Sequence, residues 1–246
     1  MQDPGQDCWD QAYRDLEYAA APEDDPLVGW LRRWVPPGDG ACLELGCFPG
    51  RYLAVLGGLG YELHGVDLTP RVESDFSAWL AGRGCRVGRF ARADALSWEP
   101  GRRYDLVCSF GLIEHFPDWR PVLRSQARLV AEGGRLVVTA PNFRGALQWL
   151  LHRTLDERNL ARHNLGSMNA AGWRQEVTAL GFEVLFAGYV GSFPFWWGDQ
   201  PRSRLQRLGL GLVGRAGRWL RRLPAGGRLW APHCGLIARK GGGAGR

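Results

Sequence analysis

The sequence predicts an α/β fold: a seven-stranded, mostly parallel sheet with helices on both faces. Three features lead there. Short apolar runs bounded by Gly, Pro or Asp recur along the chain, helical patterns lie between them, and a tight glycine turn joins the first run to the first helix. A parallel sheet with helices on both sides buries both of its faces, so its strands read as near-continuous apolar stretches.

Trp9–Tyr18 and Asp25–Val35 read as an N-terminal helical cap within residues 1–38. Ala41–Leu45 is the first strand, and Arg51–Leu59 the helix after its turn. Leu63–Asp67 is the second strand. Thr69 as N-cap and Pro70 at the first helical position then open a helix to Leu80. Arg86–Ala91 and Leu106–Phe110 are strands three and four. A helix over Pro117–Val130 stops at Glu132-Gly133-Gly134, before the fifth strand, Leu136–Thr139. Asn169 caps a helix that runs to Leu180 and closes at Gly181. Glu183–Tyr189 is the sixth strand, and Gly235–Arg239, within 232–240, the seventh. A long excursion, 192–231, separates these two, and 241–246 reads as a disordered tail. With a cofactor-binding core over 39–191, the 246 residues form one domain.

Composition excludes several classes. The acidic, polar start MQDPGQDCWD is no secretory signal, and the longest charge-free aromatic stretch is too short to span a bilayer. The six cysteines form no CxxC pair, and Cys42 and Cys108 sit inside apolar strands, which points to buried thiols in a reducing cytoplasm. Metal-ligand spacing is missing as well, so no metal is expected. From Trp197 onward eleven basic residues face one acid, so the net charge of +6 comes from the last fifth of the chain and the rest is net acidic.

The first turn, in CLELGCFPGRYLAVL, narrows the ligand. A dinucleotide site needs G-x-G-x-x-G so that a pyrophosphate can rest on helix N-terminal amides. Here Gly46-Cys47-Phe48-Pro49-Gly50 is followed by Arg51 and Tyr52, and no GxxxxGK[ST] occurs. A nicotinamide oxidoreductase is therefore the alternative reading rather than the first.

The stretch ELGCFPG, with Glu44, Gly46, Cys47, Pro49 and Gly50, resembles the E/D-x-G-x-G-x-G turn of the class I, Rossmann-like S-adenosylmethionine-dependent methyltransferases, and departs from it at Phe48. LHGVDL then puts Asp67 at the end of the second strand, 21 residues beyond Gly46, and FARADAL puts Asp94 after the third. YDLVCSFGLIEHFPD and LVAEGGRLVVTAPN resemble the family's fourth and fifth regions. The resemblance implies S-adenosylmethionine as cofactor, with Asp67 on the ribose hydroxyls, Asp94 near the adenine amine and Glu44 near the methionine ammonium. It also implies Leu68, Ala95, Ser109 and Phe110 as further cofactor contacts. Phe48 is compatible if its ring turns toward the substrate side or the N-terminal cap, because a residue before proline is extended and needs no positive φ.

The acceptor is less defined. His115, just after the fourth strand, is the candidate general base; packing under its own loop is the alternative. Glu114 reads as a loop-stapling acid, and His152 and His233 as structural. Tyr13, His163, Asn164 and Trp196 are the substrate-side candidates. The [DNS]-P-P-[FYW] turn of amino-directed nucleic-acid enzymes is absent and the catalytic half is acidic, which argues against nucleic acid. A small-molecule, glycan or lipid-linked acceptor remains, on the resemblance to bacterial small-molecule and cell-envelope enzymes. Over 201–223, Leu205, Leu208, Leu212, Ala216, Trp219 and Leu223 form a helical stripe crowded by arginines. It reads as a helix packed on the sheet, as a peripheral contact with the inner face of the membrane, or as a subunit contact. An inactive methyltransferase fold acting as a membrane-surface module is the non-enzyme alternative, and the oligomeric state stays open.

Overall fold

The computed structural model describes residues 16–193, 195–197 and 202–242. Helix α1 (Pro26–Trp34) precedes β1 (Ala41–Leu45), α2 (Arg51–Gly58), β2 (Glu62–Asp67), α3 (Phe76–Gly82), β3 (Arg86–Arg92) and β4 (Tyr104–Phe110). Then come α4 (Trp119–Arg128), β5 (Val130–Pro141), α5 (Ala146–Leu155), α6 (Glu157–Ala161), α7 (Ala170–Ala179), β6 (Phe182–Val190), α8 (Arg204–Leu220) and β7 (His233–Lys240). The strand order is β3-β2-β1-β4-β5-β7-β6. Only β7 runs antiparallel, against both β5 and β6. The expected seven-stranded, mostly parallel sheet is present.

Every residue of β1 is buried, because both faces are covered. Ala41, Leu43 and Leu45 join a core with Trp119 and Trp173, while Cys42 joins the opposite one with Leu53 and Leu56. That alternation follows from the two-residue period of a strand. Cys42, Cys47, Cys108 and Cys234 are buried free thiols.

Local chemistry sets several boundaries. Asp25 accepts from the Leu27 N–H and caps α1. Of the proposed helix Trp9–Tyr18, residues 9–15 lie outside the described residues and 16–18 carry no regular structure. The helix expected from Pro70 to Leu80 is broken into a 3₁₀ turn, Pro70–Glu73, and α3. At the break, the Ser74 hydroxyl donates to the Arg71 carbonyl and bonds Asp75, competing with the helical pattern. Gly133 and Gly134 do not end a helix. They lie in an irregularity of β5 where the register jumps from Tyr104↔Val130 to Leu106↔Arg135. Helices α5 and α6 were not anticipated.

Helix α8 corrects the expectation that its stripe packs on the sheet. None of its residues is buried, and Leu205, Leu208, Leu212 and Trp219 are 79%, 67%, 63% and 69% exposed. The half-buried positions are Gln206, Gly209, Leu210, Val213, Gly217 and Leu220, and the apolar three of them lie round the helix from that stripe. The helix is fastened at its start by a Ser203–Gln206 capping box and by Gln206 Nε2 donating to the Thr154 carbonyl.

Candidate active site

The strands are laid outward from β1 to β3 and then resume on the other side of β1 with β4, parallel to it, and open α/β sheets bind ligands at such a switch point, beyond the carboxyl ends of their strands. A cleft of about 460 Å³ lies there. Its walls come from the loops after β1, β2, β3 and β4 and from residues 159–163.

The turn after β1 supplies Gly46, Phe48 and Pro49 to the cleft. Gly46 and Gly50 have φ of +68° and +76°, and a Cβ at Gly50 would stand 2.5 Å from the Phe76 ring, so glycine is required on both counts. Asp67 is oriented by two backbone donors: the Phe48 N–H at 3.1 Å to one oxygen and the Thr69 N–H at 3.0 Å to the other. Leu68, Asp94, Ala95 and Phe110 complete this half. One Asp94 oxygen accepts from the Leu96 N–H, which ties the post-β3 turn. Phe48 is turned away, its ring packed on Tyr18 and Phe76, with the Arg71 guanidinium 5.0 Å from its centroid. The peptide before Pro49 is cis.

Glu44 stands inside the protein, behind the turn. It is buried, its Oε2 has no hydrogen-bond partner, and burial together with Cys42 and Asp67 pushes its carboxyl well above the usual carboxylate range. Cys47 and Gly50 are likewise behind the cleft wall; Cys47 packs over Gly65, where a Cβ would meet its sulfur at 2.5 Å.

The other half of the cleft holds Glu114, His115 and His163. A 3₁₀ turn, Ile113–His115, sets the first two just beyond β4. The Asn164 N–H donates to the Glu114 carbonyl and the Ser167 hydroxyl to the Phe116 carbonyl, so the post-β4 loop and the segment after α6 are fastened together. Burial raises Glu114 to about 8 and, with His163 beside it, lowers His115 to about 4. His163 is also lowered by burial. Both imidazoles are therefore neutral near pH 7, and His115 alone is a weak base.

Three expected site residues are placed elsewhere. The Ser109 hydroxyl is buried on the α4 side, donating to Gln126. The Asn164 side chain accepts from the Gly166 N–H and closes its own turn. Trp196 stacks on His233 at 5.1 Å, beside Phe143 and His152, and does not line the cleft. Tyr13 lies outside the described residues. Conversely, Leu112, Phe116, Asn159 and Arg162 line the cleft without having been singled out. Arg162 adjoins His163 in the sequence, and that adjacency was the signal available.

With this geometry in hand, the chain's likeness to known families becomes specific. A family profile described as a methyltransferase domain matches residues 16–187. The chain belongs to that family. The methyltransferase domain shares 26% identity over 136 residues with the ubiquinone biosynthesis O-methyltransferase of Stutzerimonas stutzeri, covering 54% of this chain and 57% of that protein. It shares 33% over 104 residues with the trans-aconitate 2-methyltransferase of Methylobacterium radiotolerans, covering 41% of this chain and 37% of that one. The chain thus spans about half the length of the curated relatives it matches. Among solved structures, a Bacillus halodurans methyltransferase superposes with a TM-score of 0.59 at 17% identity, over 87% of this chain and 98% of that one. The N-methyltransferase NodS of Bradyrhizobium japonicum gives 0.55 at 15%, over 89% and 99%. At such identities these likenesses speak for the fold, which is the class I S-adenosylmethionine-dependent one.

Proposed function

We propose that this chain methylates a small-molecule acceptor with S-adenosylmethionine. The observation that carries the reading is Asp67, a carboxylate locked by two backbone N–H groups at the wall of the cleft. Each of its oxygens is oriented by one backbone N–H, and a carboxylate held this way suits a pair of vicinal ribose hydroxyls. Asp94 lines the same side, and its second oxygen, without a partner among the described residues, suits the adenine amine. Leu68, Ala95 and Phe110 offer apolar walls for the base. The orphaned Glu44 Oε2 lies behind the turn, and a methionine ammonium would satisfy it only by entering past Gly46.

S-adenosylmethionine supplies, when bound, a methyl group on a sulfonium. The chain's part is to hold an acceptor in line with it, where effective molarity provides much of the acceleration, and to accept or share the acceptor's proton. His115 and His163, with rings 4.9 Å apart on the far side of the cleft, are the residues for that side. Isothermal titration with S-adenosylhomocysteine tests the reading: micromolar-range binding is expected, with none for NADH.

The same proposal extends to location. Seen along the axis of α8, Arg204, Arg207, Arg215 and Arg218 fill an arc beside the exposed Leu205–Leu208–Leu212–Trp219 stripe. Apolar residues flanked by arginine, with no acid in the helix, complement an anionic lipid surface. We propose that the enzyme works in the cytoplasm, peripheral at the inner face of the membrane, where a lipid-linked or glycan acceptor would meet it. No helix among the described residues is long and apolar enough to cross a membrane.

A further inference from the structure

We infer that Glu114, His115 and His163 form a binding site for one borderline-soft divalent cation, of the zinc or cobalt class, on the acceptor side of the cleft. Each residue offers a donor atom, and these atoms lie within 4.8 Å of one another. A four-coordinate ion with bonds of 2.0–2.2 Å needs neighbouring donors roughly 3.4 Å apart, so the set must draw in from its present spacing to hold one.

Three independent features support a ligand here. The Glu114 carboxyl is buried in the cleft wall, and its Oε2 has no hydrogen-bond partner. The His163 Nδ1 lies 2.6 Å from the Asn159 carbonyl, so Nδ1–H donates there and Nε2 carries the free lone pair. A backbone carbonyl on the distal nitrogen is the usual partner that orients a metal-binding histidine. Finally, Asn164 N–H to Glu114 carbonyl at 2.7 Å, and Ser167 hydroxyl to Phe116 carbonyl at 2.7 Å, hold the two donor segments in fixed register. Two imidazoles and one carboxylate select zinc, cobalt, iron or manganese over magnesium and calcium, which want oxygen.

All three residues line the cleft, so the ion's remaining positions face the acceptor volume. They suit an acceptor oxygen: coordination there would lower the pKa of a hydroxyl, whose proton leaves to water before the oxygen–carbon bond forms and the carbon–sulfur bond breaks. This role rests on the methyltransferase reading; the metal site does not.

The test uses the full chain after dialysis against EDTA. Titration with ZnCl₂ by calorimetry, and with CoCl₂ by visible absorption, is expected to show one ion per chain and the d–d bands of a low-coordinate site. Magnesium at the same concentration should not compete. His163→Gln and Glu114→Gln should each weaken zinc binding at least tenfold and remove the cobalt bands, with S-adenosylhomocysteine affinity kept as the control for folding. Absence of stoichiometric zinc or cobalt in the wild type, or unchanged binding in both folded variants, overturns the site. If a variant does not fold, the wild-type cobalt spectrum still decides, since octahedral aquo-like bands overturn it. Zinc uptake without S-adenosylhomocysteine binding would uphold the metal and refute the cofactor assignment.

Discussion

At the scale of single residues, Phe48 shows how one side chain can depart from a motif while its backbone keeps the turn's hydrogen bond. What the turn needs at this position is a backbone N–H directed at Asp67 and room for a ligand. Phe48 provides the first directly and the second by burying its ring against Tyr18 and Phe76. Asp67 then carries the sharpest test. Asp67→Ala is expected to weaken S-adenosylhomocysteine by about 1.5–3 kcal/mol, the scale of a hydrogen bond to a charged group. An unchanged dissociation constant in a folded variant removes the ribose assignment.

Glu44 makes a second residue-level prediction through its raised pKa. The free protein holds this carboxyl protonated above the usual carboxylate range, whereas pairing with an ammonium needs the carboxylate. Binding then releases a proton, so affinity should rise with pH through the raised value and level off above it. Glu44→Gln should bind more weakly and lose the slope. A wild-type titration that is flat with pH, run in two buffers of different ionisation heat, would show that Glu44 does not meet the cofactor.

At the scale of elements, the β1–α2 turn and α8 behave oppositely. The turn is over-determined: Gly50 combines a positive φ with a Phe76 ring 2.5 Å from where a Cβ would sit. Gly50→Ala is expected to cost about 2–4 kcal/mol, from left-handed strain and overpacking together. A loss of unfolding free energy below about 0.5 kcal/mol in denaturant titration would mean the turn relaxes freely. Helix α8 is under-used, with its largest apolar side chains in solvent. If it lies on anionic lipid, each arginine near the surface adds on the order of 1 kcal/mol, screened by salt. The protein should co-sediment with phosphatidylserine vesicles at low salt, leave them at high salt, and ignore phosphatidylcholine. Replacing Arg218, Arg221 and Arg222 by Glu should abolish sedimentation; if the wild type stays in the supernatant at low salt, the membrane placement is wrong.

At the scale of the whole molecule, the loops after β1, β2 and β3 share one cleft, so a ligand held there would couple them. Ligand at a hundred times its dissociation constant stabilises the native state by about 2.7 kcal/mol. For a chain of this length that is a rise of roughly 5–10 °C in melting temperature. S-adenosylhomocysteine should produce it and NADH should not.

The sheet was legible in the sequence because a two-sided parallel sheet imposes apolar runs and turn glycines residue by residue. Asp67 and Asp94 were legible because strand ends are local events, a fixed few residues from each run. Helices α5 and α6 were not anticipated: α5 carries exposed Trp149 and Leu150, and no residue of α6 is buried. The apolar stripe of α8 was visible, but its neighbour was not, since a helix of this breadth has two candidate faces and only packing chooses between them. Ser109 and Trp196 were assigned to the cleft by their place in the chain, yet each found a partner on another element, Gln126 and His233. The expectation of no metal rested on linear spacing alone. His163 stands 48 residues beyond His115, and only the docking of the segment after α6 onto the post-β4 loop sets its ring 4.9 Å from that of His115. The sequence alone determined the fold, the family and where Asp67 and Asp94 stand at the strand ends, because these follow from local pattern. Which side chains meet across the cleft was decided by tertiary structure, because such contacts depend on how distant segments pack.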